Sequence, residues 1–557
     1  MPGGLMQLSA FGAESQYLSG NPQLNFFKMV YRRYSNFAME SIELPLNGSQ
    51  QLSPETSTKL YCRIDRHADL VSHLYFRIQL PDIYSGYYAN NSEDNFSKSG
   101  YQFQWIESIG TNMIEKTYIT IGGTKINELY GEWIAIWHEL FSFELNVDIF
   151  NKMIGNIPEL YDPASLPENK GIYPTSTLDP TLNKDPELFT SSTILSNPYL
   201  KAPSIKGRQL IIPLNFWFTM NPGLALPLIA LQYHEVHVHV ELRPLSELYT
   251  IKEPKENSDN FEKRIKPDIN QADHLITNFL ANISPLQFKR GNSFAMENNS
   301  TIGNTLFVQP NILANYIFLE EKDQKRFAKS SHEYLIEQVV RREFRGIYGS
   351  KMFDLTLNHP VKSLVWYAQR DDFVTNNIFS NYTNWPDKNI NPSSLSFYQT
   401  NFGEIRYELD LTGTPVATDP LEIAFQNNSL VSKFNFKNYE KDILKEVKIL
   451  FNGIERFSSQ TSNFYSLLQP YQHKYTNIVP GVQTYSFALD PRKRQPNGAV
   501  NLSRVKNIQM HIETAHIDQE DNANPTLTHK FKYNIYVYAI NYNLFRVFAG
   551  MGGLSFS

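Results

Sequence analysis

Within eight positions the chain carries His234, His237, His239 and Glu241, its best candidate for chemistry. Neutral imidazoles and a carboxylate are transition-metal donors, and His237 and His239, two apart on an extended segment, project from one face where they could meet on one ion. Polar side chains hydrogen-bonded at a sheet or subunit contact account for the same residues without a metal. Trp105, Tyr382 and Trp385 could stack on sugar rings, as in a carbohydrate-binding attachment protein. In a chain with 37 Phe and 32 Tyr, aromatic anchors of core and loops need no ligand. No Ser-His-Asp arrangement stands out. Gly550, Gly552 and Gly553 are followed by only four residues, too few for the helix a phosphate-binding loop requires. The sequence therefore assigns no catalytic, cofactor-binding or metal residue and predicts no enzymatic activity.

The elements that would position these residues are strands. Val236, Val238 and Val240 alternate with His237, His239 and Glu241, the period of two that turns one set of side chains into a core. The same alternation runs through Ile405, Tyr407, Leu409 and Leu411, and through Phe531, Tyr533, Ile535, Val537 and Ala539. In the last case the outward Tyr536 and Tyr538 predict that the second face is covered too. Leu364 to Ala368 is apolar throughout, as in a strand buried on both sides. Short helices are predicted over Glu132 to Phe143 and Phe327 to Val340.

Some of these landmarks occur twice. Ile119, Ile121, Gly122, Gly123, Ile126 and Leu129 read as strand, tight glycine turn, strand, and Val447, Ile449, Phe451, Asn452, Gly453 and Phe457 repeat the pattern. Val238-His239-Val240-Glu241 is echoed by Met510-His511-Ile512-Glu513. A metal site in the first copy would be a jelly-roll metalloenzyme of the cupin kind. The strand lacks the glycine-framed pattern of such a site, and the second copy keeps only His511 and Glu513.

From Gly123 to Val238 is 115 positions, against 57 from Gly453 to Met510, a surplus of 58 in the first copy. Its natural place is the stretch 151–203, which fills with prolines that cannot donate to a sheet and reads as one long inserted loop. The polar, charged run Ile251 to Pro267 marks a boundary. This gives an N-terminal arm over 1–25, a first sandwich domain over 26–245, a linker over 246–269, a second sandwich domain over 270–545 and a C-terminal tail over 546–557. The fold class expected is all-β: two tandem eight-stranded antiparallel sandwiches, which the resemblance described below makes jelly rolls, with long loop insertions and short helices. Phe26, Phe27, Val30, Tyr31 and Tyr34 should order against the first core.

At 557 residues the chain exceeds the size of one core, which supports more than one domain. A formal net charge of −5 gives no general pull towards nucleic acid. The small basic clusters Arg32-Arg33, Arg341-Arg342 and Arg492-Lys493-Arg494 read as solvated edges or subunit contacts. The single cysteine, Cys62, forms no intrachain disulfide, in keeping with a reducing cytosol. Sequons at Asn95 and Asn381 are weak signals in so Asn-rich a chain. The most apolar run, Gly223 to Leu231, is too short to span a bilayer and contains Pro227.

Segments spread over nearly the whole length carry a resemblance. They are GGLMQL (3–8), YLSGNPQLNFFKMVYRRYSNFAMES (17–41), PLNFWF (213–218), GLALPLIALQYHEVHVHVELRPL (223–245), SHEYLIEQV (331–339), NHPVKSLVWYAQR (358–370), FNGIERF (451–457), QPYQHKY (469–475), YSFALDPRKRQPNGAVNLSRV (485–505) and YVYAINYNLFRVFAGMGGLSFS (536–557). In this order they resemble the major capsid proteins of the large nucleocytoplasmic DNA viruses, the double jelly-roll lineage. The departures are loop-sized, at 151–203 and 376–392.

The resemblance implies two jelly rolls side by side, a homotrimer of pseudo-hexagonal outline, and capsomers tiling an icosahedral shell. The partners implied are neighbouring capsomers and minor capsid, penton and cement proteins. Nucleic acid would not be read by sequence, and an inner membrane would be met only indirectly. The place implied is the virion capsid, assembled in the host cytoplasm. No cofactor is implied.

Overall fold

The structure is a computed structural model. It describes residues 3–556 other than 86–100, 175–202, 253–263, 281–305, 522–527, most of 389–440 and some shorter runs and single positions. Antiparallel pairing dominates. In the first half, Phe37–Pro45, Asn311–Leu319 and Leu70–Gln79 lie side by side, with Gln209–Pro213 and Leu226–Pro227 on the far edge of Leu70–Gln79. The facing sheet runs Asn47–Gly48, Thr58–Arg63, Val236–Leu242, Ile114–Ile121, Thr124–Tyr130. The second half repeats both sheets. One runs His332–Ile347, Tyr533–Phe548, Pro360–Arg370, Val482–Ser486, and the other Ser350–Asp354, Ile508–Thr514, Leu444–Phe451, Ile454–Glu455.

The duplication holds to the residue. Val238 lies opposite Ile119 and Cys62, and Met510 lies opposite Ile449 and Phe353; all six side chains are buried. Both hairpins turn through left-handed pairs, Gly122 and Gly123 at φ 58° and 80°, Asn452 and Gly453 at 53° and 79°, the conformation a two-residue hairpin demands. A one-residue irregularity even recurs. Ser72 is skipped where Leu70–Gln79 pairs with Asn311–Leu319, and Lys362 is skipped where Pro360–Arg370 pairs with Tyr533–Phe548. With these bulges aligned, Pro213 matches Thr484, since each lies opposite the residue two past the bulge's far side, Tyr75 and Val365. Gly123 to Pro213 is then 90 positions, and Gly453 to Thr484 is 31. The surplus therefore falls between the hairpin and the strand Gln209–Pro213.

Side-chain alternation along Tyr533–Phe548 explains how the halves join. Tyr533, Ile535, Val537 and Ala539 fill the second core together with Trp366, Met510 and Ile512. Tyr538 and Ile540 point the other way, into the core that holds Trp133, Trp217 and Leu231 of the first half, and Phe545 and Val547 further along the strand join that core as well. One strand thus serves two cores, which is why Tyr538 and Tyr542 are buried and Tyr536 partly buried on the nominally outer face. The tail Met551–Leu554 folds back on the same strand.

Several sequence expectations need correction. Phe327 to Val340 is not a helix: the helix is Glu321–Lys329, and His332–Ile347 is a long strand, its β-branched Val339 and Val340 paired with Ile540 and Ala539. Tertiary pairing overrides the local pattern. Asn311–Leu319, assigned to the second jelly roll, is a central strand of the first, and Leu306–Phe307 pairs with Gln51–Leu52, so these two strands do not belong with the second sandwich. The stretch 151–203 begins in helix, Glu144–Ile154 followed by Pro158–Tyr161, and 175–202 lies outside the described residues. Phe26, Phe27, Tyr31 and Tyr34 do not order against the first core; each is at least 83 % exposed. The helix expected at Glu132 to Phe143 is Gly131–Phe141. Of the expected strand 405–411, only Glu408–Leu409 is described.

Candidate assembly interface

The histidine constellation is dispersed among other partners. His239 stacks on Tyr118, ring centroids 4.5 Å apart and nearly coplanar, and its Nε2 is 3.3 Å from Thr120 Oγ1. Burial, then the neighbouring His237, lowers its proton affinity. His237 lies 3.7 Å from Glu235, while Glu241 is buried against Lys116 at 3.4 Å. His234 turns to the C-terminal tail, its Nδ1 3.0 Å from the Gly552 carbonyl and 3.2 Å from the Gly552 amide. In the second copy His511 pairs with Ser350 Oγ at 2.8 Å. Among the described residues no group of three or more His, Cys, Asp or Glu is placed to hold a metal.

The sugar-stacking residues fare no better. Trp105 and Tyr382 are buried, and Trp385 lies under the Lys441 ammonium, 4.9 Å from its ring centre. Asn381 is buried and hydrogen-bonded to Trp385 O and to Thr383, so its sequon is closed to glycosylation in the folded chain. Asn95 lies outside the described residues. Among the described residues no helix is long and apolar enough to cross a membrane.

What the structure builds instead is a junction between the sandwiches. Gly131–Phe141 follows directly on the strand Thr124–Tyr130 and lays Trp133 on Tyr538, centroids 4.8 Å apart and stacked. Glu132 accepts from Tyr538 at 3.0 Å and pairs with Arg341 at 2.5 Å. Arg341 also pairs with Glu343 at 2.8 Å and lies over the rings of Tyr130 and Tyr536. Burial opposes its charge, but Glu132 and the surrounding groups win, and its proton is held more tightly than usual. Lys362, the bulged residue, reaches Glu337 at 2.5 Å and lies near the Phe141 ring. Arg341 is thus not a solvated edge. Its role was invisible in sequence because its partner lies 209 positions away.

A second feature is apolar surface left open. The N-terminal segment 24–31 exposes Leu24, Phe26, Phe27, Met29 and Tyr31, and the second sandwich exposes Leu467, Leu468, Tyr471 and Leu489. Side chains of this kind in a chain this well packed mark contacts with other molecules.

Two β-sandwiches duplicated in register, the flank of one seated on the sheet of the other, define a double jelly-roll protein. Comparison with known proteins agrees. The family model for the major capsid protein N-terminus matches residues 25–320, and that for the large eukaryotic DNA virus major capsid protein matches 323–553. The major capsid protein of Phaeocystis pouchetii virus is 29 % identical over 602 residues, covering 100 % of both chains, and that of Paramecium bursaria Chlorella virus 1 is 27 % identical over 576 residues, again covering 100 % of both. Among solved structures, the PBCV-1 protein VP54 superimposes with a TM-score of 0.58 at 24 % identity, covering 96 % of this chain and all of that one. The Faustovirus major capsid protein gives 0.56 at 12 %, covering 97 % and 96 %. The chain belongs to the large eukaryotic DNA virus major capsid proteins. It is a structural component of the virion capsid, not an enzyme.

Proposed function

We propose that three copies associate into a pseudo-hexagonal capsomer, and that capsomers pave the icosahedral shell of a large double-stranded DNA virus. The observation that carries this is the in-register duplication joined flank to sheet. Two equivalent modules per chain, repeated about a threefold axis, offer six comparable sides to a hexagonal lattice. The exposed apolar arm settles on neighbouring capsomers or on minor capsid, penton and cement proteins. Nucleic acid is not read by sequence, an inner membrane is met only through other proteins, and assembly takes place in the host cytoplasm. Light scattering of the purified chain after gel filtration tests the first step. A mass of three chains, with a hexagonal outline by electron microscopy, is expected. A monodisperse folded monomer that persists at high concentration would overturn it.

A further inference from the structure

Asn47, Asn452 and Asn497 are each followed by a glycine. Such a pair carries a chemistry of its own. The glycine amide nitrogen can attack the asparagine side-chain carbonyl carbon, because a residue without a Cβ neither blocks the approach nor resists the backbone rotation that closes the ring. The fold places the three pairs in different surroundings.

Asn452 is pinned in the hairpin turn of the second sandwich. Its Oδ1 accepts from the Asn507 amide at 3.1 Å, and its own amide donates to the Asn507 carbonyl at 2.7 Å. Asn497 is tied twice to Asp490: its Nδ2 donates to the Asp490 carbonyl at 2.9 Å, and its Oδ1 accepts from the Asp490 amide at 3.4 Å. Closing a five-membered ring would swing either side chain off its partners. Asn47 has no such tie. Both Asn47 and Gly48 are exposed, and the Asn47 side chain makes no hydrogen bond among the described residues. The two residues form a minimal strand at the edge of their sheet, paired on one side only, with Tyr61 and Leu60. Short edges of this kind open before the rest of a sheet. Packing requires the glycine: φ at Gly48 is +125°, and a Cβ there would lie 2.6 Å from the Lys59 carbonyl oxygen. The fold thus keeps a reactive dipeptide on an open edge.

We propose that Asn47 is a site of spontaneous modification, where the folded protein deamidates and isomerises with age. The Gly48 nitrogen bonds to Asn47 Cγ, the Cγ–Nδ2 bond breaks, and ammonia leaves with the Gly48 amide proton, giving a succinimide. Water then opens the ring at either carbonyl, to aspartate or to isoaspartate. Water is taken up and ammonia released, with no change of oxidation state. Either product adds a negative charge to the strand. Isoaspartate also lengthens the backbone by a methylene, which breaks the register of Asn47 with Tyr61.

The test incubates the full-length folded protein at mildly alkaline pH beside the same protein in denaturant. Mass spectrometry follows the three Asn-Gly peptides, and an isoaspartate methyltransferase tells isoaspartate from aspartate. In denaturant the three should react at similar rates. In the folded protein Asn47 should react about tenfold faster than Asn452 or Asn497, the factor expected when hydrogen bonds must break first. Asn47→Ser should abolish the fast signal. Equal rates in the folded protein, or an order led by Asn452 or Asn497, would overturn the proposal. So would an Asn47 that reacts only in denaturant, or one that carries a sugar through its sequon with Ser49. The same tenfold spread in denaturant would show that chain chemistry and not the fold sets the order, and would overturn it as well.

Discussion

Tyr538 and Glu132, 406 positions apart in sequence, are joined by a 3.0 Å hydrogen bond in which the phenol donates to the carboxylate. Glu132 is also the partner of Arg341, so one carboxylate holds two strands of the second sandwich to the first. Glu132→Ala leaves the buried Arg341 with Glu343 as its remaining carboxylate and should destabilise the chain by about 3 kcal/mol, the low end of the cost of breaking a buried pair. Tyr538→Phe keeps the stack on Trp133 and loses only the hydrogen bond, for about 1–2 kcal/mol. Urea denaturation of the two variants checks the order: equal losses would mean that the ion pair adds nothing at the junction.

The matched turns give an internal control. Gly123 and Gly453 have φ near +80°, and a Cβ built on either meets nothing within 4 Å, so substitution there strains only the backbone. Gly123→Ala and Gly453→Ala should each cost about 1–2 kcal/mol. Gly122→Ala should cost more, because its Cβ would come within 2.5 Å of the His234 ring, which itself holds Gly552. Thermal unfolding of the three variants should separate the first two from the third. A harmless Gly453→Ala would contradict the equivalence of the turns.

What could be read from sequence was local and periodic. The hairpins at Gly123 and Gly453 and the strands around Val238 and Met510 announced themselves, because turn chemistry and alternation act over a few residues. The burial of Tyr538 was half legible: alternation said that its face was covered, but not that Trp133 covered it. The strand His332–Ile347 was missed because its apolar residues also fit a helical period, and only its pairing with Tyr533–Phe548 decides between them. The same reason hid Asn311–Leu319, whose partners Phe37–Pro45 lie some 270 positions upstream. The segment after residue 25 misled in the opposite sense: Phe26 and Phe27 look like core residues, and both stand exposed.

Cys62 offers a direct probe of the first sandwich. It is the only cysteine of the chain, buried opposite Val238, and burial, with Asp65 adding to it, pushes its thiol up to about 12. Thiolate is the reactive form, so a disulfide reagent at pH 8 should not label the folded protein and should label one thiol per chain in denaturant. Rapid labelling of the native protein would mean that the strand Thr58–Arg63 opens without global unfolding.

His138 should make the junction acid-sensitive. It sits in the last turn of Gly131–Phe141, its ring stacked on Phe150 with centroids 3.7 Å apart and its Nδ1 3.0 Å from Ser142 Oγ. Burial lowers its pKa from the ordinary 6.5 to about 4. The unfolded chain therefore binds this proton more readily than the folded one, and the contribution to stability is complete above pH 6.5 and lost as pH falls towards 4. At about 1.4 kcal/mol per pKa unit, the loss across that window is on the order of 3 kcal/mol. His138→Gln should lower stability at pH 7 through lost packing yet show a shallower fall between pH 6.5 and 4 than the parent. Parallel stability curves for the two proteins over that range would show that His138 is protonated in the folded state and that its burial carries no acid penalty.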